Sequence, residues 1–496
     1  MAKTILVFDF GASSARAMRC TFEDGRLFLE EVHRFANTPI NEMGHLRWDI
    51  NELFEQMKIG ISFAMFNGGF DAISIDTWGV DFALIGRDGE MLENPVHYRD
   101  SRTDGIMEEM AGVLPAEALF MQTGVQPQSI NTIYQLAYIV RRERNTLFRA
   151  ERLLMMPDLF AYFLTGECRN EYTEATTSQL IDQKSKGWNL KIIESLGLPK
   201  RIFCPIIRPG EVYGSLKDEL ADEFRCEGVP VIACPSHDTA SAVLAVPSEQ
   251  EHFVFISCGT WALFGTELKR PIVTKEAMEL GLSNEGGYGD SAIMLKNIMG
   301  LWLIQECRRY YNKDGLDYSF AFLEQAARGA KPFVSFIDPN DHSFVAPDDM
   351  PLKIQEYCRR TGQPVPESMG EILRCIYQSL ACEFAITLKS ISAITGEKYD
   401  KIHMIGGGTK DKLLCELTAG CCGIPAIAGP TEATALGNGI ASLIALGEIE
   451  SVAAARRVII NSDLTHTFEP TEHDKWIEAL EKYRQVTSKP LSATQK

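Results

Sequence analysis

A strand, a tight turn and a second strand occur twice in this chain, about half its length apart, and no other feature constrains the fold as strongly. The first copy opens the sequence. Residues 4–10 form a β-branched and aromatic run, Asp9-Phe10-Gly11-Ala12-Ser13-Ser14 is a turn of small residues, and residues 16–20 resume the strand pattern. The second copy is residues 253–257, the turn Cys258-Gly259-Thr260-Trp261, and residues 262–266. Apolar β-branched and aromatic residues favour extended strands. A glycine beside serine or threonine at a hairpin tip lets backbone N–H groups and a hydroxyl approach a ligand closely. One tip from each half of the chain is suited to gripping a polyphosphate from two sides. A glycine-rich hairpin taken singly is more often a plain turn, so the weight lies on the pairing.

Around these hairpins strands and helices alternate. Asp49 and Glu52 have the spacing of a capping box, and Leu53, Met57, Ile61 and Met65 then recur at helical intervals. Residues 72–75 and 82–85 read as strands around the turn 76–81. Asn131 is placed to cap a helix through Arg142, and Pro157 opens a short helix that Gly166 closes. Residues 229–233 form a buried strand leading through Pro235-Ser236-His237-Asp238-Thr239 into a small-residue helix at 240–245. In the later half, 298–311 and 371–394 read as helices. Residues 401–405 read as a strand that ends in Gly406-Gly407-Gly408 and enters a helix at 410–419. Residues 339–370 are polar and turn-rich, an expected irregular excursion, and the last dozen residues are expected to fray.

A chain of 496 residues holds two large domains or more, each with its own core. The polar stretch 246–251, containing Pro247, is the expected boundary, giving an N-terminal domain 1–246 and a C-terminal domain 247–496. A net charge of −18, spread along the chain, argues against nucleic acid or an anionic membrane as partner. A phosphate-bearing ligand must then be held by local donors and a metal ion. No stretch approaches the roughly 20 apolar residues of a membrane span, and residues 4–10 meet Asp9 too early for a secretory signal. The thirteen cysteines are an odd number without CxxC pairs, which reads as buried thiols in a reducing cytosol.

No GxxxxGK[ST] motif occurs, so a P-loop is excluded. The strand, triple glycine and helix at 404–412 offer another nucleotide contact, because glycine leaves the backbone open to a flat ligand such as adenine. With these residues in view, the chain resembles the FGGY carbohydrate kinases. The matching stretches are DFGASSAR (9–16), IDTWGVDF (75–82), YRDSRT (98–103), MPD (156–158), SHDTASAV (236–243), SCGTW (257–261), LKNIMGLW (295–302), IGGG (405–408) and residues 428–438. They run in family order over nearly the whole chain. The departures are small: Ala15 stands where relatives often have glycine, and Cys258 where serine is more usual.

The resemblance implies an α/β protein of two actin-like, ribonuclease-H-like ATPase domains with the active site in the cleft between them. It implies ATP-dependent phosphorylation of the 1-hydroxyl of L-rhamnulose. The rivals are another ketose kinase of the family, such as one for L-fuculose, and an actin- or chaperone-like ATPase switch. Phosphoryl transfer to an alcohol needs a base for the hydroxyl proton and dipoles or cations on the γ-phosphate. Asp238 is the candidate base; its alternative is a helix cap. Gly79, His237, Thr239 and Asn297 match substrate positions, with a core histidine and a plain turn glycine as the alternatives for His237 and Gly79. For ATP the resemblance implicates Ala12, Ser13, Ser14, Ala15, Arg16, Thr260, Gln305 and Gly407. Arg16 is either a phosphate partner or a solvated strand-end arginine. Asp9 would hold Mg²⁺, through water, or else bond to its own turn. Trp78 and Trp261 are sugar-facing walls or core. The oligomeric state is not readable from these residues.

Overall fold

The structure is a computed structural model that describes residues 2–313, 315–462 and 464–488. It separates into two compact units. Of the described residues, the first comprises 2–249, 267–294 and 433–462; the second comprises 250–266, 295–313, 315–432 and 464–488. The division is therefore discontinuous. Two segments from beyond the expected 246/247 boundary, 267–294 and 433–462, pack with the earlier half.

In the first unit, strand Lys3–Phe10 lies at the middle of a six-stranded sheet. Strand Ser14–Glu23 pairs with it antiparallel across the hairpin, and strand Ala72–Thr77 pairs parallel on its other side. Strand Pro230–Ile232 then lies parallel to Ala72–Thr77. The runs of apolar residues in Lys3–Phe10 and Ala72–Thr77 are buried on both faces, as central parallel strands require. Helix Ile50–Phe66 covers one face through Leu53, Met57, Ile61 and Ala64. Asp49 caps it by accepting from the Glu52 amide at 3.1 Å, while Glu52 turns to Gln56 instead of completing the box.

Helix Ala433–Ala445 lies in the first unit against the small-residue helix Asp238–Leu244. The two approach so closely that a Cβ on Gly437 would stand 1.8 Å from the Ser241 carbonyl oxygen; against strand Ser14–Glu23, one on Gly439 would stand 2.6 Å from Cys20 Sγ. Not even an alanine methyl fits at Gly437 or Gly439 without displacing a neighbour.

The second unit repeats the same central motif. Strand Val254–Cys258 pairs antiparallel with Trp261–Leu268 across the second hairpin and parallel with Ile402–Ile405, which in turn pairs parallel with Ala426–Ala428. The 27-residue helix Met369–Thr395 starts at a reciprocal capping box between Ser368 and Glu371 and ends at Gly396 in the left-handed region.

Four sequence expectations need correction. Residues 298–301 are not helical: strand Ala292–Met299 runs to Gly300, and the helix is Trp302–Tyr311. The excursion at 339–370 contains helix Met350–Arg360, with Asp349 as N-cap and Pro351 in the first turn, where proline is tolerated. Asn131 sits at the N-cap position of helix Thr132–Arg142, but its side chain donates to Gln126 and Gln179 and caps nothing. Of the terminal dozen, 485–487 continue helix His473–Thr487, and 489–496 lie outside the described residues. No helix among the described residues is long and apolar enough to cross a membrane. All thirteen cysteines are free thiols, eleven of them buried.

Candidate functional site

Three parallel strands of the first unit end side by side, and each delivers a carboxylate or the loop that holds one. Asp9 and Asp76 are register partners on adjacent strands. The chain after Pro230–Ile232 is tied to the same edge, where the Thr77 amide donates to the Ser236 carbonyl at 2.9 Å and Thr77 bridges to His237. Ligands in parallel α/β sheets bind at such carboxyl ends.

Asp238 begins the helix Asp238–Leu244, and His237, not Asp238, occupies the N-cap position. The expected helix start at 240 moves two residues earlier. The Asp238 carboxylate is about a third exposed and accepts from the Thr239 hydroxyl at 3.0 Å. It makes no capping bond in this helix. The loop that carries it is anchored by Glu171, a fully buried carboxylate. Glu171 accepts from the Ser236 amide at 3.1 Å, the Ser236 hydroxyl at 2.8 Å, and the Thr173 and Glu174 amides at 2.9 and 3.0 Å. Burial raises the Glu171 pKa, opposed by these bonds. The Thr173 hydroxyl adds a partner for the His237 amide at 3.2 Å.

His237 lies between two acids. Its Nδ1 is 3.1 Å from Glu285 Oε2 and its Nε2 is 3.6 Å from Asp238 Oδ1. The first contact is an ion-pair distance at which the ring N–H is poorly aligned for a hydrogen bond. Sequence reasoning missed Glu285, which arrives on the short strand Ser283–Gly286. It also missed Glu171 as an anchor and Asp76 as a site residue.

At the first hairpin tip Arg16 Nη2 contacts Asp9 Oδ2 at 2.5 Å, so Arg16 is a half-buried ion-pair partner and not a solvated strand end. Asp76 is fully buried; Asn438 donates to it, yet its Oδ1 has no hydrogen-bond partner. Burial, then the charge of Asp9, pushes its pKa well above the carboxylate range. In the turn, Ser13 is exposed while Ala15 is fully buried. Ala12 is half-buried on the core.

Gly79 packs on Thr177, and the next residue, Val80, has φ +71°, an unfavourable value for a β-branched side chain. The Thr177 hydroxyl accepts from the Val80 amide at 3.0 Å and the Thr132 hydroxyl donates to its carbonyl at 2.6 Å, which holds the strained loop in place. Trp78 is core: its Nε1 donates to the buried Asp81 at 3.1 Å, and its ring centroid lies 4.2 Å from that of Trp48.

In the second unit, the second hairpin tip joins the turn after Ala292–Met299. The Gly300 and Trp302 amides donate to the Thr260 carbonyl at 3.2 and 3.1 Å. A Cβ on Gly300 would come within 2.7 Å of the Ala262 nitrogen, which explains that glycine. The Thr260 hydroxyl lies 3.5 Å from Gln305 Oε1, so two of the expected ATP residues are neighbours. The triple glycine divides by role. Gly406 has φ +85°, and a Cβ on Gly408 would stand 2.6 Å from Cys258 Cβ, so both serve packing against the second hairpin. Gly407 alone is exposed, with nothing within 4 Å of an added Cβ. Asn297 is half-buried in strand Ala292–Met299, and Trp261 is half-buried at the tip.

Both units thus present a hairpin tip and a strand end suited to phosphate and nucleotide, and the first adds a supported carboxylate. Residues 4–245 match the FGGY family of carbohydrate kinases, N-terminal domain, and residues 254–446 match its C-terminal domain. The chain belongs to the FGGY family of carbohydrate kinases, and its fold is the two-domain, ribonuclease-H-like and actin-like fold of that family. Among curated relatives it is 42% identical to a rhamnulokinase of Halalkalibacterium halodurans, over 92% of this chain and 97% of that protein. It is 38% identical to one of Bacteroides thetaiotaomicron, over 96% and 98%. Solved structures with the same fold include a gluconate kinase of Lactobacillus acidophilus, at TM-score 0.81, 16% identity and 99% coverage of each chain. A xylulose kinase of the same organism follows at TM-score 0.80 and 15% identity, covering 99% of this chain and all of that one.

Proposed function

We propose that this chain is a rhamnulokinase, transferring the γ-phosphate of ATP to the 1-hydroxyl of L-rhamnulose to give L-rhamnulose 1-phosphate and ADP. The observation that carries the chemistry is Asp238: a part-exposed carboxylate at a helix start, uncommitted to capping, on a loop fixed by the buried Glu171. Asp238 accepts the proton of the sugar hydroxyl as that oxygen attacks phosphorus. Gly79, His237, Thr239 and Asn297 hold the sugar. The Thr239 hydroxyl keeps Asp238 Oδ1 oriented. The backbone of Ala12, Ser13, Ser14 and Ala15, together with Arg16, Thr260, Gln305 and Gly407, holds the nucleotide. The choice of L-rhamnulose rests on relatives named as rhamnulokinases over almost the full chain.

The strand-end pair Asp9 and Asp76 fits a hydrated Mg²⁺: both offer hard oxygens, and Asp76 Oδ1 is buried without a hydrogen-bond donor. A Mg²⁺ ion that arrives on ATP keeps much of its hydration, so these carboxylates would meet it through water. When bound, Mg²⁺ supplies charge neutralisation on the phosphates. The unpaired thiols support a reducing, cytosolic setting.

A coupled ADP-release assay over L-rhamnulose, L-fuculose and D-xylulose tests the reading, with phosphorus NMR locating the new ester. L-rhamnulose should give the highest kcat/KM and a 1-phosphate. A clear preference for another ketose would overturn the substrate, and ATP turnover indifferent to every sugar would overturn the kinase.

A further inference from the structure

Glu285 has no part in the reading above, yet it is the group nearest the Nδ1 face of His237, at 3.1 Å. Both side chains are buried, each residue about 8% exposed. A buried carboxylate either finds a partner that offsets its desolvation or takes up a proton. The strand that delivers Glu285 is clamped. The Gly286 amide donates to the Thr176 hydroxyl at 2.9 Å, and a Cβ on Gly286 would stand 2.7 Å from the Tyr172 ring. Glu285 therefore has little freedom to leave the ring. On the far side of the ring, Nε2 points toward Asp238 at 3.6 Å, the side on which the sugar hydroxyl must arrive.

We propose that Glu285 is a positioning residue for His237: its carboxylate fixes Nδ1 as the protonated nitrogen and orients the ring so that Nε2 serves the sugar beside Asp238. This rests on the assignment of Asp238 and His237 to the sugar site. The charged groups facing the ring are Glu285 from its strand, Asp238 next in the chain, and Glu171 from the head of helix Tyr172–Thr177. All three are acidic. Burial alone would lower the His237 pKa, but these charges, Glu285 foremost, more than offset it and raise the pKa above its ordinary 6.5. The ring accordingly keeps its proton as pH rises through 6.5 and loses it at higher pH. Without Glu285 that loss comes earlier.

The test is the pH dependence of kcat/KM for sugar in Glu285→Gln, with Glu285→Asp and Asp238→Asn measured alongside. The alkaline limb should move to lower pH by about one unit in Glu285→Gln, the usual effect of a single close charge. The KM for sugar should rise on the order of tenfold, one hydrogen bond's worth to a charged group. The KM for ATP should hold within about twofold of wild type, and Glu285→Asp should restore part of the profile. A Glu285→Gln profile that superimposes on wild type, with Asp238→Asn inactive, overturns the proposal alone. Near-full turnover in Asp238→Asn overturns the site assignment beneath it. If Glu285→Gln does not fold, NMR of the unaltered protein decides, with the His237 ring assigned by its loss in His237→Asn. Titration above pH 6.5 with Nδ1 protonated supports the proposal; titration at or below 6.5, or an Nδ1 without a proton, overturns it.

Discussion

The tip of the opening hairpin carries an ion pair, Asp9 with Arg16, whereas the tip of the second, from Cys258 to Trp261, carries no charge. Their backbones follow one plan: a central strand, an antiparallel partner across the turn, and a parallel partner on the other side. The difference continues along the adjoining strand. In the first unit the parallel neighbour carries Asp76 one residue before its end; in the second it is followed by Gly406-Gly407-Gly408. One unit therefore gathers carboxylates at its strand ends, and the other clears side chains away. A shared fold fixes where a ligand can approach. On the proposed reading, both tips meet the nucleotide, and the residues around them reserve proton chemistry and metal binding for the first unit.

The largest expected effect falls on the carboxylate side. Asp238→Asn keeps the shape and removes the base, so turnover should drop by about two to four orders of magnitude. Near-wild-type turnover would erase the chemical distinction between the units. The next effect falls on the glycine side. Gly407→Val places a branched side chain in open space, leaving the fold intact, and should raise the KM for ATP on the order of tenfold with that for sugar little changed. Gly408→Ala should behave differently, because its Cβ would crowd Cys258 and Leu301. It should cost about 1–3 kcal/mol of stability, read from denaturant unfolding. Equal outcomes for the two glycines would contradict their separate roles.

The smallest effect is a pH trend in stability. Glu174 in the first unit is fully buried with neither carboxylate oxygen hydrogen-bonded, and burial, then Asp158 and Glu171, lifts its pKa well above the ordinary value. A carboxyl whose pKa is raised on folding binds its proton more tightly in the folded state. Stability is then lost as pH rises above the unfolded pKa of about 4.3 and toward the folded one. The Tm of Glu174→Gln relative to wild type should therefore increase from pH 5 to pH 8. A constant difference across that range would show that the Glu174 pKa is not raised on folding.

Much of this division was legible in the residues. Both hairpins announce themselves by apolar runs broken at small-residue turns, Asp238 heads the small-residue helix after strand Pro230–Ile232, and Gly407 follows strand Ile402–Ile405. What the pattern hid was long-range. Glu285 sits in the polar run Ser283-Asn284-Glu285-Gly286-Gly287, which has nothing to mark it as buried beside a histidine 48 positions earlier. Glu171 and Asp76 gave the same difficulty, since a buried acid resembles a surface one until its partners are known. Helix Met350–Arg360 was obscured by Pro351, which breaks a helix interior yet suits its first turn. The three glycines look alike in sequence, and only the nearness of Cys258 to Gly406 and Gly408 separates them from Gly407.

The most direct test of the division between the units is calorimetric titration of a non-hydrolysable ATP analogue with Mg²⁺ into Asp238→Asn and Gly407→Val. The account predicts that Asp238→Asn, though catalytically impaired, binds the analogue with a Kd within about twofold of wild type, while Gly407→Val weakens it on the order of tenfold. Weakened binding in Asp238→Asn together with normal binding in Gly407→Val would contradict it.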